Sequence, residues 1–436
     1  MGVTTIMCRH YSVALVVMLL ALVSCGGGGG GGNTPPNAPT GWQRSPSNTL
    51  LTPAKDASPA TTYDQSIADP SVMYDSTDGL WKSWYSCSIA DSAAPANPSQ
   101  IVLKYAQSTD GVLWTAQVAP VLSSRVTVGD WDYTHVETPS VVLNPDSSAP
   151  PSHRYMMFYA GGNRDADTTA GRPLLNGAPY YQIGLAFSAD GRSFVRHTPG
   201  IGGKPGLVLT YATVLAGIPG LADGLIADPE VVVRGGTLEL WCSSLADDAS
   251  HNPLGFGICL ARSTDGITWT TPAQNPLPSL FKPADVAGGQ QPAVLFDATQ
   301  NRYHMWFKND TAAESALIPT SYFTAYGFWH ATSIDGISWT PDYSQRDFPW
   351  KNTLDYETYG LLTGCSVVRR SGIDHMFYCS WGTRGIPDTA LYQVPLTSGG
   401  LVPAVITFNL ATHQPAAMAA ASAIAIPTGI GFIAAP

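Results

Sequence analysis

The chain has 436 residues, a formal net charge of -10 and only 12% charged side chains, beside 43 Gly, 35 Pro, 12 Trp and 19 Tyr. That balance excludes a basic face for nucleic acid. Many turn formers with abundant aromatics give the composition of an extracellular all-β protein, and the chain is long enough to bury a substantial core.

Arg9 and His10 precede an apolar run from Tyr11 to Val23. A spanning helix takes about 20 apolar residues, so this run is short for one and fits the apolar core of a secretory signal. It stops at Leu22-Val23-Ser24-Cys25, followed by seven glycines and Asn33-Thr34-Pro35-Pro36. The stop resembles the lipobox of bacterial lipoproteins, which implies acylation of Cys25; a flexible glycine run behind an anchored residue is a tether. The expected organisation is a leader over 1–24, a Gly/Pro-rich tether over 25–40, a repeat domain over 41–403 and an Ala-rich tail over 404–436 with no assigned structure. The expected location is the bacterial cell envelope, reached by export and held by the lipid alone.

The repeat begins at Ile67-Ala68-Asp69-Pro70-Ser71-Val72-Met73-Tyr74, a turn-and-carboxylate start running into an apolar strand, with the aromatic strand Leu80-Trp81-Lys82-Ser83-Trp84-Tyr85 after it. Four further units follow. They start at Glu137-Thr138-Pro139-Ser140, Asp228-Pro229-Glu230, Gln291-Pro292-Ala293 and Gly364-Cys365-Ser366. In four units a second signature comes later: Ser108-Thr109-Asp110-Gly111, Ser188-Ala189-Asp190-Gly191, Ser263-Thr264-Asp265-Gly266 and Ser333-Ile334-Asp335-Gly336. Asp-Gly between apolar runs marks a hairpin, because glycine takes the positive-φ position. Each unit therefore reads as four antiparallel strands, which is a propeller blade. The predicted fold is an all-β, five-bladed β-propeller of four-stranded antiparallel blades. The fifth unit has Leu391-Tyr392-Gln393-Val394 as a third strand and no Asp-Gly turn, so the N-terminal strand at Gly41-Trp42-Gln43-Arg44 is expected to complete the last blade and remove the exposed seam.

If first strands line a central channel, their starts present Asp69, Glu137, Asp228 and Gln291, with Glu230 two residues beyond Asp228. Converging carboxylates suit glycoside hydrolysis: one protonates the leaving oxygen, one activates water or attacks the sugar, and a third tunes the acid. On Ala68-Asp69-Pro70-Ser71-Val72, Asp228-Pro229, the Glu137-x-Pro139 setting and the repeated Ser-x-Asp-Gly turns, the chain resembles the five-bladed propeller glycoside hydrolases, families 43, 62, 32, 68, 117 and 130. The resemblance implies Asp69 as general base or nucleophile, Glu137 as general acid and Asp228 as the orienting carboxylate. The order Asp-Glu-Asp departs from the Asp-Asp-Glu of families 43 and 32. Glu137 also stands two residues before its proline, whereas Asp69 and Asp228 stand one before, which on a regular strand reverses the facing. A bulge must correct that, or Glu230 is the acid instead.

Candidate sugar-binding residues are Trp131, Tyr133, His135, Gln291, Tyr359, Trp381 and Arg384, the aromatics as stacking platforms. The four hairpin aspartates read as turn residues, and His304 and His330 as core or edge residues. Cys365 and Cys379 flank a turn symmetrically, and Cys242 and Cys259 flank a longer connection, so the spacing allows two within-repeat disulfides with Cys87 left over; the alternative is five buried thiols. No cysteine spacing matches a structural zinc site. No cofactor is expected; some family 43 enzymes hold a channel Ca²⁺, which the residues here do not establish. The expected partner is a carbohydrate substrate, and the expected state a monomer. Competing readings are a sugar-binding propeller without catalysis, a mannoside phosphorylase-like enzyme and a sialidase.

Overall fold

A computed structural model describes residues 42–44, 50–51, 62–91, 100–125, 127–172, 179–278, 280, 289–308, 327–343, 348–349, 362–381, 405–409, 414–419 and 427–434. The leader, Cys25, the tether, Tyr359, Arg384 and Leu391–Val394 lie outside them.

After β1 (Gln43–Arg44), unit 1 holds β2 (Thr62–Asp75), β3 (Leu80–Asp91), β4 (Gln100–Ser108) and β5 (Trp114–Ala116). Unit 2 holds β6 (His135–Leu143), β7 (Tyr155–Gly162), β8 (Gln182–Ser188) and β9 (Val195–Arg196), with β10 (Leu207–Leu209) beside β9 on the edge of β8 away from β7. Unit 3 holds β11 (Asp223–Arg234), β12 (Thr237–Asp247) and β13 (Pro253–Ser263). Unit 4 holds β14 (Gln290–Asp297), β15 (Arg302–Lys308), β16 (Gly327–Ser333), β17 (Thr340–Asp342) and β18 (Phe348–Pro349). Unit 5 holds β19 (Leu362–Arg370) and β20 (Ile373–Trp381), and the tail adds β21 (Val405–Asn409), β22 (Gln414–Ala419) and β23 (Pro427–Ala434). Two short α-helices, α1 (Arg164–Thr169) and α2 (Tyr211–Val214), and two 3-10 turns at Pro151–His153 and Ile201–Gly203 complete the described elements.

Within each unit consecutive strands pair antiparallel, as the alternating sequence demands. The blades are less regular than expected. A single parallel bridge, Ile101 to His135, fuses units 1 and 2 into one sheet. In unit 3 the expected fourth strand is reduced to one bridge, Arg262 to Thr270. The N-terminal strand does join the last sheet, but its neighbour is the tail: β23 pairs with β20, and β1 pairs with β23.

The Asp-Gly signatures act as turns. Asp110 Oδ1 accepts from the N–H groups of Val112 and Leu113, each at 2.8 Å, and Asp265 and Asp335 repeat the pattern. Gly191, at φ +77°, packs under Trp84 of the preceding unit, whose Nε1 donates to its carbonyl at 2.7 Å. Buried ion pairs also clamp neighbouring units. Asp75 pairs with Lys82 at 3.0 Å and with Arg154 of unit 2 at 2.7 Å, and accepts from the Tyr155 hydroxyl.

The first strands β2, β6, β11, β14 and β19 touch in a closed cycle, each contacting the next and β19 contacting β2. Side chains tie it. The Val141 N–H donates to Ser71 Oγ (3.0 Å), Val231 N–H to Ser140 Oγ (2.9 Å), Val294 N–H to Glu230 Oε1 (3.3 Å) and Val72 N–H to Ser366 Oγ (3.0 Å). Each acceptor sits one strand back around the ring. At the fifth such place stands Ala293, whose methyl group accepts nothing.

All five described cysteines are buried, and none is joined in a disulfide. An irregularity between Thr363 and Cys365 sets Cys365 opposite Tyr378 and Cys379 opposite Thr363, so the symmetric spacing about the turn does not make them partners. Cys365 packs with Val367 and Met376, and Cys379 with Ile67 and Phe377. Cys242 and Cys259 do stand directly opposite, yet the Cys259 thiol points to Ser244 Oγ at 3.3 Å.

Candidate active site

Every first strand breaks register near the same point: between Ala68 and Ser71, Glu137 and Ser140, Ala227 and Glu230, Gln290 and Ala293, and Thr363 and Cys365. In four of them the residue before proline is left-handed, with φ of 50° at Asp69, 47° at Thr138, 52° at Asp228 and 48° at Gln291. Proline removes the ladder N–H at the bulge, and the bulge re-aims the preceding side chain. Such strain in non-glycine residues is characteristic of functional positions. The four side chains converge with Gly364 and Cys365 on one cleft, which Glu230 also lines.

The equivalent ring positions are thus Asp69, Thr138, Asp228, Gln291 and Gly364. Glu137 stands one place earlier, in line with Ala68, Ala227, Gln290 and Thr363. The bulge recurs in every unit, so it does not move Glu137 into register with the aspartates; the facing problem is resolved by Thr138. Even so, the Glu137 carboxyl lies close enough to feel both Asp69 and Asp228. Its Oε1 is fully enclosed and has no hydrogen-bond partner. Burial first, then the charges of Asp69 and Asp228, push Glu137 well above the usual carboxylate range.

Asp69 Oδ1 accepts from the Gly364 N–H at 3.1 Å. A Cβ at residue 364 would stand 3.0 Å from that same oxygen, which accounts for the glycine in the degenerate unit. Gln291 Nε2 lies 3.5 Å from Asp69 Oδ1 and 3.5 Å from Asp228 Oδ1, bridging the two carboxylates. Ser243 Oγ donates to Asp228 Oδ2 at 2.6 Å and accepts from the Gln291 N–H at 2.7 Å. Burial raises Asp228 above its ordinary value, while the Ser243 hydroxyl, the Lys308 ammonium and the Gln291 amide pull it back.

Glu230, the alternative acid, lines the cleft beside Asp228. Its two oxygens are engaged by the Val294 N–H and the Ser140 hydroxyl, each at 3.3 Å, in the ring of strand ties. Burial nevertheless lifts it to about 8. His135 is buried, meets Thr134 Oγ1 through Nδ1 at 2.8 Å, and is pressed down to about 3 by burial and by Arg164. Trp131 stacks on Tyr159 with centroids 5.8 Å apart and donates to the Pro205 carbonyl at 2.9 Å, so it packs within its own unit. Tyr133 is half-buried, and neither it nor His135 nor Trp131 lines the cleft. Trp381 ends β20 beside Pro427, and its side chain is outside the described residues.

Sequence reasoning missed Thr138, Ser243, Gln290 and Lys308. The signal for Thr138 was the x-Pro frame shared with Asp69-Pro70. Together with Glu137 Oε1, the Thr138 Oγ1, Gln290 Oε1 and Gln291 Oε1 atoms are buried without a partner. Enclosed oxygens of this kind are costly unless a ligand or water donates to them.

No known protein-family description matches the chain, and no curated protein matches it in sequence. Solved structures do match. A glycoside hydrolase superposes with a TM-score of 0.53 at 16% identity, over 76% of this chain and 86% of its own. A complex of BT0996 with RGII gives the same figures. An N-acetylgalactosamine deacetylase from F. plautii, in complex with blood group B trisaccharide, superposes with a TM-score of 0.51 at 12% identity, over 90% and 95%. At these identities the likeness is one of fold: an all-β, propeller-like fold shared with solved glycoside hydrolases.

Proposed function

We propose that the protein is a five-bladed propeller glycoside hydrolase acting on a polysaccharide or oligosaccharide. The carrying observation is Glu137: its carboxyl, pushed well above the usual carboxylate range by burial and by the charges of Asp69 and Asp228, keeps one enclosed oxygen without a partner. In this reading Glu137 gives its proton to the glycosidic oxygen as the bond to the anomeric carbon breaks. Asp69, fixed by Gly364 and Gln291, takes a proton from the attacking water or itself attacks that carbon. Asp228 stays close enough to hold the Glu137 proton in place. The unpartnered oxygens of Thr138, Gln290 and Gln291 suit a ligand rich in hydroxyl donors, and the saccharide complex of one structural neighbour supports the same class.

The test is sugar release by the purified protein from arabinan, arabinoxylan, fructan, galactan and mannosides, with and without phosphate, beside Glu137→Gln. Release that the variant abolishes supports the reading. Phosphate-dependent release of a sugar phosphate would make the enzyme a phosphorylase, and acetate release from acetylated sugars would make it a deacetylase. Binding without release of any product would make it a sugar-binding propeller. The same proposal places the enzyme at the cell envelope through acylated Cys25; Cys25→Ser is expected to move it from the membrane fraction to the soluble one.

A further inference from the structure

Asp69, Thr138, Asp228, Gln291 and Gly364 hold the same place in the five first strands, and all five line the cleft. Thr138 is the odd member. Its strand β6 touches both β2 and β11, so a neutral hydroxyl is carried between the strands of the two aspartates. A positive φ is an outlier for a β-branched residue, yet Thr138 is held at 47°. Its backbone is clamped, since the Thr138 N–H donates to Ser86 Oγ of β3 at 2.8 Å. Ser243 Oγ of β12 clamps the Gln291 N–H in the same way at 2.7 Å. Both side chains are thus fixed from the second strand of the preceding unit. Both are buried, and each keeps an oxygen without a partner, Thr138 Oγ1 and Gln291 Oε1.

The two differ in what they can give. Gln291 Nε2 faces Asp69 Oδ1 and Asp228 Oδ1, each at 3.5 Å, which leaves its Oε1 as an acceptor. The carboxylates accept as well. Among the described side chains that line the cleft, Thr138 carries the one hydroxyl, a group that both gives and takes a hydrogen. An enclosed hydroxyl without a partner is destabilising, and a sugar hydroxyl meets both of its needs. A donor on the sugar ring oxygen would oppose the positive charge that gathers there as the glycosidic bond breaks, so the oxygen served is a hydroxyl's. Resting on the hydrolase reading, we propose that Thr138 is a specificity-determining residue. Its Oγ1 holds one hydroxyl of the sugar seated at Asp69 and Asp228, and the enzyme selects sugars that carry a hydroxyl at that one carbon.

The test compares kcat/KM of the wild type, Thr138→Val and Thr138→Ser on the aryl glycoside of the released sugar and on its monodeoxy analogues, one for each hydroxyl. The wild type should lose about tenfold or more on one analogue. Thr138→Val keeps the branched shape without the hydroxyl. It should lose about tenfold or more on the parent and little on that analogue, with its preference at the other carbons unaltered. Thr138→Ser should keep the wild-type preference. A uniform loss across parent and analogues, an undiminished Thr138→Val, or the same change in Thr138→Ser overturns the proposal, because a packing role singles out no carbon. Thr138→Ala carries the comparison if the valine variant does not fold. If the wild type cleaves no aryl glycoside, the comparison moves to calorimetric binding of arabinose, xylose, fructose, galactose and mannose. Weaker binding by Thr138→Val, restored in Thr138→Ser, then supports the contact; equal binding, or none by the wild type, overturns it. A wild type that releases no sugar yet binds one through Thr138 sinks the hydrolase reading and leaves the contact standing.

Discussion

The Gly364 N–H donates to Asp69 Oδ1 across 3.1 Å, and that oxygen lies 3.0 Å from where a Cβ on residue 364 would stand. The fifth unit, poorest in sequence signal, thus holds the first unit's carboxylate. Gly364→Ala is expected to displace the carboxylate and lower kcat/KM about tenfold or more, the effect of losing one hydrogen bond to a charged group. Its melting temperature should change little. Unaltered kinetics in the folded variant would show that Asp69 needs no such support.

Glu137→Gln keeps the shape and removes the proton. Loss of a general acid is expected to lower kcat about 10²–10⁴-fold. Aryl glycosides whose leaving group departs without protonation should lose far less. In the wild type, activity persists above the ordinary carboxylate range and is lost as pH rises through the raised Glu137 value. Equal losses on both substrate types would remove Glu137 from the acid role.

Glu230 makes stability, rather than activity, depend on pH. Its folded value of about 8 exceeds the ordinary 4.5, so its contribution is whole below 4.5 and is lost as pH climbs toward 8. Between pH 5 and 8.5 the wild type should weaken by about 2–4 kcal/mol in urea titrations. Glu230→Gln, which still offers an acceptor to Val294, should flatten that slope. A slope unchanged by the substitution would mean the carboxyl is already solvated.

Gly191→Ala is a structural control outside the cleft. At φ +77°, with its Cβ 2.8 Å from Trp84, alanine is both strained and crowded. A loss of about 2–3 kcal/mol is expected, with kcat/KM unchanged at temperatures where the protein stays folded. A stable variant would indicate that Trp84 can shift.

The repeat was legible because its chemistry is local. Asp-Gly turns and x-Pro starts announce themselves within a few residues, and the place of the chain's start in the last sheet followed from counting strands. Facing was not legible. Glu137 reads as the counterpart of Asp69 until the recurring bulge shows that Thr138 holds that place. Alternation puts Glu230 on the Asp228 face and it does line the same cleft, but its tie to the Val294 N–H of the neighbouring strand was not legible. Ser243 lies on a second strand, and only three-dimensional register brings it against Asp228. Trp131 and His135 stand near Glu137 in sequence, but they pack against residues of their own unit and do not line the cleft.

Ala293 leaves one joint of the inner ring without a side-chain tie of that kind, the joint between β14 and β19. Gln291 and Gly364, the two residues that hold Asp69, stand on either side of that joint. A band fastened everywhere but there gapes first at the open place. Warming should therefore loosen the hold on Asp69 before the blades come apart, so that, if Asp69 serves as proposed, inactivation runs ahead of melting and reverses on cooling.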